Sequence, residues 1–297
     1  MRDENKALAW QSKAVLLIVV PWTVLSVVIQ GYWWATHMPV VAWESLGISA
    51  VFGLAVWRMK AATAAGAATG AVITASLMYA TARFPYEWSW LHGGLMPLLA
   101  VFLLTFAATK IGRAKKERIG TAESRRGRTA AQVAANLGVA AIVATPRILA
   151  LPGSRELDTA GDVTILLAIA VLTEAAADTV SSEIGQVFGG QPRLLTTFRR
   201  VEPGTDGGIT LVGTAAGAMA AAIVAETGVW ALGDGLYALA CCTGLGVFGL
   251  LFDSFLGATL ERRKWLNNDA VNFLSTLSIP VLISLAALLI DIAFQAR

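Results

Sequence analysis

Stretches of roughly 20 mostly apolar residues, each long enough to cross the hydrocarbon core of a bilayer, recur along the chain. Measured with that ruler, apolar runs fall near residues 13–32, 40–58, 61–81, 91–109, 129–149, 163–180, 209–230, 236–256 and 271–292. An open sheet cannot satisfy its edges in lipid, so runs of this length predict an all-α, polytopic helical bundle of about nine transmembrane helices. The first run is too long for the apolar region of a signal peptide and lacks a clear small-residue cleavage site, so it is expected to remain as a span. Composition agrees: 56% of the residues are hydrophobic and 14% charged, and the charged share is about half that of a soluble domain.

The loops predict the orientation. Lys and Arg collect on the cytoplasmic side of a membrane protein. Here Arg2, Lys6 and Lys13 precede the first run, and Arg58 and Lys60 follow the second. A longer basic segment containing Lys110, Arg113, Lys115, Lys116, Arg118, Arg125, Arg126 and Arg128 follows the fourth. Arg193, Arg199 and Arg200 follow the sixth, and Arg262, Arg263 and Lys264 the eighth. The intervening loops carry Glu87, then Glu156, Asp158 and Asp162, then Asp234. This alternation predicts a cytoplasmic N-terminus, an outside C-terminus and residence in the cell membrane. It also explains the formal net charge of +3 without a nucleic-acid partner. Nine of the ten tryptophans, all but Trp22, fall near expected interfaces. Gly66 with Gly70 and Gly213 with Gly217 are spaced for close helix packing. Cys241 and Cys242 are adjacent in an apolar run, which suits packing and not a staple or a zinc site.

Carboxylates inside spans are costly and call for a partner or a function. Glu174, Asp178 and Ser182 share a helix face at the end of the sixth run, with Glu183 beside them. The eighth run ends with Gly249, Asp253, Ser254, Gly257 and Glu261 ahead of its basic cluster. Each acid has a structural reading as the partner of a nearby Arg, but two acidic clusters on one membrane face favour a shared divalent metal site. Between them lies PRLLTTFRRVEPGTDGGITLVG, residues 192–213. Its Arg193, Arg199 and Arg200, followed by Gly204, Thr205, Asp206, Gly207 and Gly208 before a helix, suggest a phosphate cradle, although no Walker lysine follows. Polar stripes run inward from the same face. Arg125, Arg128 or Thr129, Gln132 and Asn136 form one, with Thr129 and Gln132 equally suited to a capping box. Asn268, Asn272 and Ser275 form the other.

The only histidines, His37 and His92, lie near the expected outer face, and there is no nucleophile elbow. A site of Asp, Glu, Arg and Gly without a base fits phosphoryl transfer, in which positioning and charge do most of the work. A phosphate monoester acceptor, with a second pKa of about 6, would need no base. An ion-coupled transporter is an alternative, but its acids would be expected at midplane and not at one face.

Several strings then bear a resemblance. ESRRGRTAAQVAANLG (123–138), ADTVSSEIG (177–185), PGTDGGITLVG (203–213), DSFLGAT (253–259) and NNDAVNFLS (267–275) resemble, in order, the integral-membrane domain-of-unknown-function ninety-two family, which includes the plant phytyl-phosphate kinases. The resemblance spans roughly residues 40–295. It implies an enzyme that uses CTP or another nucleoside triphosphate to phosphorylate an isoprenyl monophosphate such as phytyl, geranylgeranyl or farnesyl phosphate. A more distant similarity to CDP-diacylglycerol synthases, carried by Gly249 to Asp253 and the basic run after it, raises a cytidylyltransferase as the alternative. Asp206, Val180 and Glu261 depart from the residues expected there, which are Asn, Trp and Gln.

The expectation is therefore a Mg²⁺-dependent lipid-phosphate kinase in one membrane domain, 1–297. Spans within 1–110 would pack lipid and tail, and 111–297 would hold the catalytic core on the cytoplasmic face. Asp178, Glu183 and Asp253 would hold metal, while Arg126, Arg128, Arg199 and Arg200 neutralise phosphates. Arg193, Gly204 to Gly208, Asn136, Asn268, Asn272 and Glu174 would bind substrate. The partners expected are an isoprenyl phosphate, a nucleotide and membrane lipid, and a homodimer is admitted.

Overall fold

The computed structural model describes residues 8–82, 89–145, 156–233 and 235–295. Arg2, Lys6, Glu87, Trp88 and Asp234 lie outside these residues, as do the side chains of Glu156, Asp158 and Asp162 and residues 146–149 of the expected fifth span. Helices α1 (Ala9–His37), α2 (Pro39–Arg58), α3 (Ala64–Thr81) and α4 (Leu95–Lys110) lead to a short α5 (Arg113–Ile119). Then come α6 (Ala130–Ala144) and α7 (Glu156–Phe188). A two-stranded hairpin, β1 (Arg193–Leu194) and β2 (Gly208–Ile209), precedes α8 (Leu211–Leu232), α9 (Leu236–Leu256), a π-turn over Gly257–Glu261 and α10 (Asn268–Gln295).

Each expected apolar run contains a helix, but they are not equally long. Among the described residues seven are long and apolar enough to cross a membrane, and α4 with α5 makes an eighth if the pair is counted as one span bent by 65°. Helix α6 has 15 residues, about 22 Å at 1.5 Å per residue and short of a 30 Å core. The bend after α4 falls at Gly112, whose φ is +62°. Many large apolar side chains face outward, including Leu17, Leu103, Met219 and Leu289, as expected where lipid replaces water. Trp34 is buried among protein side chains.

Helix α7 is the hub, packing against α4, α6, α8, α9 and α10. Its approach to α8 depends on missing side chains: a Cβ at Gly213 would lie 2.6 Å from the Ser181 carbonyl oxygen, and one at Gly217 2.6 Å from that of Ala177. Gly66 meets the Arg128 backbone equally closely, whereas nothing comes nearer to Gly70 than Val133, 3.8 Å from where its Cβ would be. One buried apolar cluster runs from Val15 of α1 to Ile279 of α10, so the two halves of the chain share a core.

Candidate functional site

The basic connections and both acidic clusters meet at one end of the bundle. The Arg128 amide donates to the Ala61 carbonyl (2.9 Å), and the Thr63 amide donates to that of Arg128 (2.9 Å). Lys115 Nζ reaches the Val187 carbonyl at 2.6 Å, and Thr121 Oγ1 donates to Gln186 Oε1 at 2.6 Å. Gln11 Nε2 joins α1 to the other side through the Trp265 carbonyl at 2.8 Å. Asn267 caps α10, its Oδ1 accepting from the Ala270 amide. At α6, Thr129 and Gln132 form the capping box that the sequence allowed.

A solvent-open cleft of about 930 Å³ lies at this end. Helix α7 contributes Asp178, Ser181, Ser182 and Gln186; the segment before α8 contributes residues 203–210; α9 and the π-turn contribute Asp253, Ser254, Gly257 and Glu261; α10 contributes Asn268 and Asn272. Asp178 and Asp253 face each other within hydrogen-bonding reach. One turn deeper on α7, Glu174 is fully buried, with Oε1 accepting from Ser275 Oγ at 2.7 Å. Gly249 makes room for it, since a Cβ there would fall 2.3 Å from Glu174 Cγ. Glu174 Oε2 and Asp253 Oδ2 are buried without a hydrogen-bond partner. Two carboxyl groups in contact must share a proton or a cation. Arg128 supplies positive charge nearby, its Nη2 donating to Thr179 Oγ1 at 3.2 Å while its guanidinium acts on Asp178.

Among the described residues no three His, Cys, Asp or Glu side chains form a ready-made ion cage. That donor set still suits Mg²⁺, which is commonly held by one or two carboxylates and completed by water and substrate phosphates. The unpartnered Asp253 Oδ2 beside Asp178 is the atom that most needs such a cation.

Other residues named from the sequence sit elsewhere. Glu183 faces away from the cleft: Lys116 Nζ and Thr109 Oγ1 donate to its two oxygens, and Lys116 is 1% exposed. A carboxylate so engaged is a structural partner, so the metal role expected of Glu183 is withdrawn. The side chains of Arg126, Arg193, Arg199 and Arg200 are exposed and do not line the cleft. Arg193 Nη1 instead holds the Phe198 carbonyl at 2.9 Å, closing the hairpin tip. Asn136 lies on the other side of Arg128, donating to the Gln132 carbonyl.

The glycine segment lines the cleft but is not a loop running straight into a helix. The Gly208 amide is used on the Thr205 carbonyl and Gly208 pairs in the hairpin, while Thr210 Oγ1 caps α8 by accepting from the Gly213 amide at 3.0 Å. Gly204 and Gly207, both at positive φ, allow close approach: a Cβ would lie 2.3 Å from Thr121 Cγ2 and 2.2 Å from the Ala258 amide nitrogen, respectively. Asp206 stands at the lip of the cleft. Crowding by protein removes part of its hydration and pushes its pKa up, with Arg262 opposing. Arg262 was read from sequence only as part of a basic run, and Gln186 and Thr210 were not singled out. Gln186 had a signal, lying one turn beyond Ser182 on the polar face of α7. His37 and His92 stack near Trp33 and Trp230 and take no part in the cleft.

The model of a family described as "Integral membrane protein DUF92" matches residues 47–279. The chain belongs to this family. Among curated relatives, an uncharacterized membrane protein of Methanocaldococcus jannaschii is 43% identical over 37% of this chain and 45% of its own length. The chloroplastic protein VTE6 of Arabidopsis thaliana is 32% identical over 61% of this chain and 55% of its own. Protein PGR of the same plant is 29% identical over 82% and 95%. The chain thus spans about half the length of the first two relatives. No solved structure matches it.

Proposed function

We propose that this DUF92 protein is a membrane isoprenyl-phosphate kinase that transfers a phosphoryl group from CTP or another nucleoside triphosphate to an isoprenyl monophosphate. The observation that carries the reading is the facing pair Asp178 and Asp253, with an unpartnered Asp253 oxygen, in an open cleft beside Arg128. The family resemblance to plant phytyl-phosphate kinases supports the choice of acceptor. The basic loops at this end of the bundle favour placing the cleft on the cytoplasmic face of the cell membrane, with the N-terminus inside and the C-terminus outside.

Chemically, an anionic oxygen of the acceptor monophosphate attacks the terminal phosphorus of the donor. The bond from that phosphorus to its bridging oxygen breaks, and the nucleoside diphosphate departs with the electron pair. Because the acceptor is already ionised at neutral pH, no side chain has to remove a proton. Asp178 and Asp253 would hold Mg²⁺, which when bound neutralises donor phosphates. Arg128 stabilises charge on the group in transit. Residues 203–210 wall the donor side, and Asn268 and Asn272 orient phosphate oxygens or water. Within a single domain, residues 111–297 carry these groups and residues 1–110 supply lipid-facing walls.

The test is purified protein given phytyl, farnesyl or geranylgeranyl phosphate with CTP and Mg²⁺. Prenyl diphosphate and CDP are the expected products. Pyrophosphate with a CDP-linked lipid would identify a cytidylyltransferase instead, and absence of any product across donors and chain lengths would sink the enzyme reading.

A further inference from the structure

A second cavity, about 970 Å³ counting the space open to its surroundings, opens between α2, α3, α4 and α6. Its body is apolar, with Phe52, Ala71, Phe102, Phe106 and Leu137 among its walls, and Phe52 meets Phe102 edge to face with centroids 5.4 Å apart. Gly70 lines it as well. Its mouth is cationic: Lys60, Lys110, Arg113 and Arg128 line that end, against the single carboxylate of Glu123. Arg113 is engaged by Glu117 and the Glu123 carbonyl. Among the described residues, Lys60 and Lys110 form no ion pair with a carboxylate.

This cavity joins the carboxylate cleft through shared parts. Arg128 lines the groove and also acts on Asp178 of the cleft. On α7, Ala175 lines the groove and Asp178 the cleft, about 4.5 Å apart along the helix axis. An apolar trough ending in basic side chains complements a hydrocarbon tail ending in an anion. A zwitterionic lipid, whose phosphate already has a cation beside it, would gain less from Lys60 and Lys110 than a lipid with net negative charge.

We propose that this groove is the tail site of a single-chain anionic lipid of the isoprenyl phosphate class, with the phosphate seated among Lys60, Lys110 and Arg128 and delivered past Arg128 to the cleft. The identity of the lipid rests on the kinase reading. The groove as a site for that chemistry does not.

The experiment therefore omits nucleotide. The full-length protein in phosphatidylcholine nanodiscs is photolabelled with a diazirine-bearing farnesyl phosphate, and the labelled peptides are mapped. Label is expected in α2, α3, α4 and α6, removed by excess unlabelled farnesyl phosphate but not by equal farnesol or phosphatidylglycerol. Leu137→Trp should lower labelling about tenfold, the equivalent of excluding roughly two buried methylenes. The double change Lys60→Gln with Lys110→Gln, at exposed positions and harmless to folding, should lower farnesyl phosphate labelling about threefold to tenfold. It should leave labelling by a diazirine-bearing farnesol unchanged. Label scattered over other helices, or displaced equally by phosphatidylglycerol, overturns the proposal. Groove labelling without turnover would leave it standing while the kinase reading fails, and turnover without groove labelling would do the reverse.

Discussion

Lys116 and Glu183 form a buried ion pair that ties the α4–α5 bend to α7. Lys116 Nζ also donates to the Ala108 and Thr109 carbonyls, at 3.0 and 2.8 Å, and so closes the end of α4. Removing one partner of such a pair strands a charge and costs about 3–5 kcal/mol. Lys116→Met should therefore lower the Tm in detergent sharply. Lys116→Met with Glu183→Gln should recover part of the loss. Glu183→Gln alone should leave the Mg²⁺ dependence of turnover unchanged; a shifted Mg²⁺ requirement would return Glu183 to the metal site.

Asp178→Asn and Asp253→Asn should each reduce turnover by about a hundredfold or more, the scale of losing one preorganised electrostatic group. The proteins should remain folded, as judged by elution and thermal melting, because neither carboxylate is the partner of a buried lysine. Residual activity near that of the unmodified protein would exclude the residue from the proposed donor set.

Gly249→Ala places a methyl 2.3 Å from Glu174 Cγ. Overpacking of this kind costs about 1–3 kcal/mol, and the displaced Glu174 would press on the Asp178 and Asp253 pair. A fall in both Tm and turnover is expected, and Glu174→Ala in the same background should restore the Tm. An unchanged melting curve for the single variant would mean that α9 moves off α7 more easily than the contact implies.

Asp206 has a pKa raised by partial loss of hydration. It therefore gains its charge at a higher pH than an ordinary aspartate, and the charge then opposes an anionic donor at the cleft. Nucleotide affinity should fall as pH rises through this titration, and Asp206→Asn should remove the step and tighten binding severalfold at neutral pH. The linked stability has the same sign: with the folded-state pKa raised, the contribution is present below the ordinary aspartate range and is lost as pH rises through the raised value. Equal nucleotide affinity for both forms across that range would show that Asp206 does not face the donor.

The apolar runs were legible because lipid imposes a length and composition on every span. So were the two acidic clusters, because polar residues stand out in apolar sequence. Pairing across the chain was not. Nothing near Glu183 in sequence distinguishes it from Asp178, and only the bend at Gly112, which brings Lys116 to α7, separates their roles. Residues 203–208 read as a loop entering a helix because glycine permits a tight hairpin and an anion cradle equally well. The shortness of α6 was also hidden, since apolar composition continues beyond its last turn. Arg199 and Arg200 were expected near phosphate because of their charge, yet the hairpin leaves them in solvent.

The backbone bridge between Ala62 and Arg128 has a further consequence for how the molecule can be divided. The turn after α2 supplies the carbonyl that positions the Arg128 amide, and Gly127 is pressed against Ala61 so tightly that a Cβ would lie 2.4 Å from its carbonyl carbon. The region matched by the family model begins at residue 47, ahead of that turn. A fragment beginning after residue 63 would retain every carboxylate of the cleft and still lose the brace for its central arginine. The smallest unit able to hold Arg128 in place must therefore include the turn between α2 and α3, which contributes no carboxylate to the cleft.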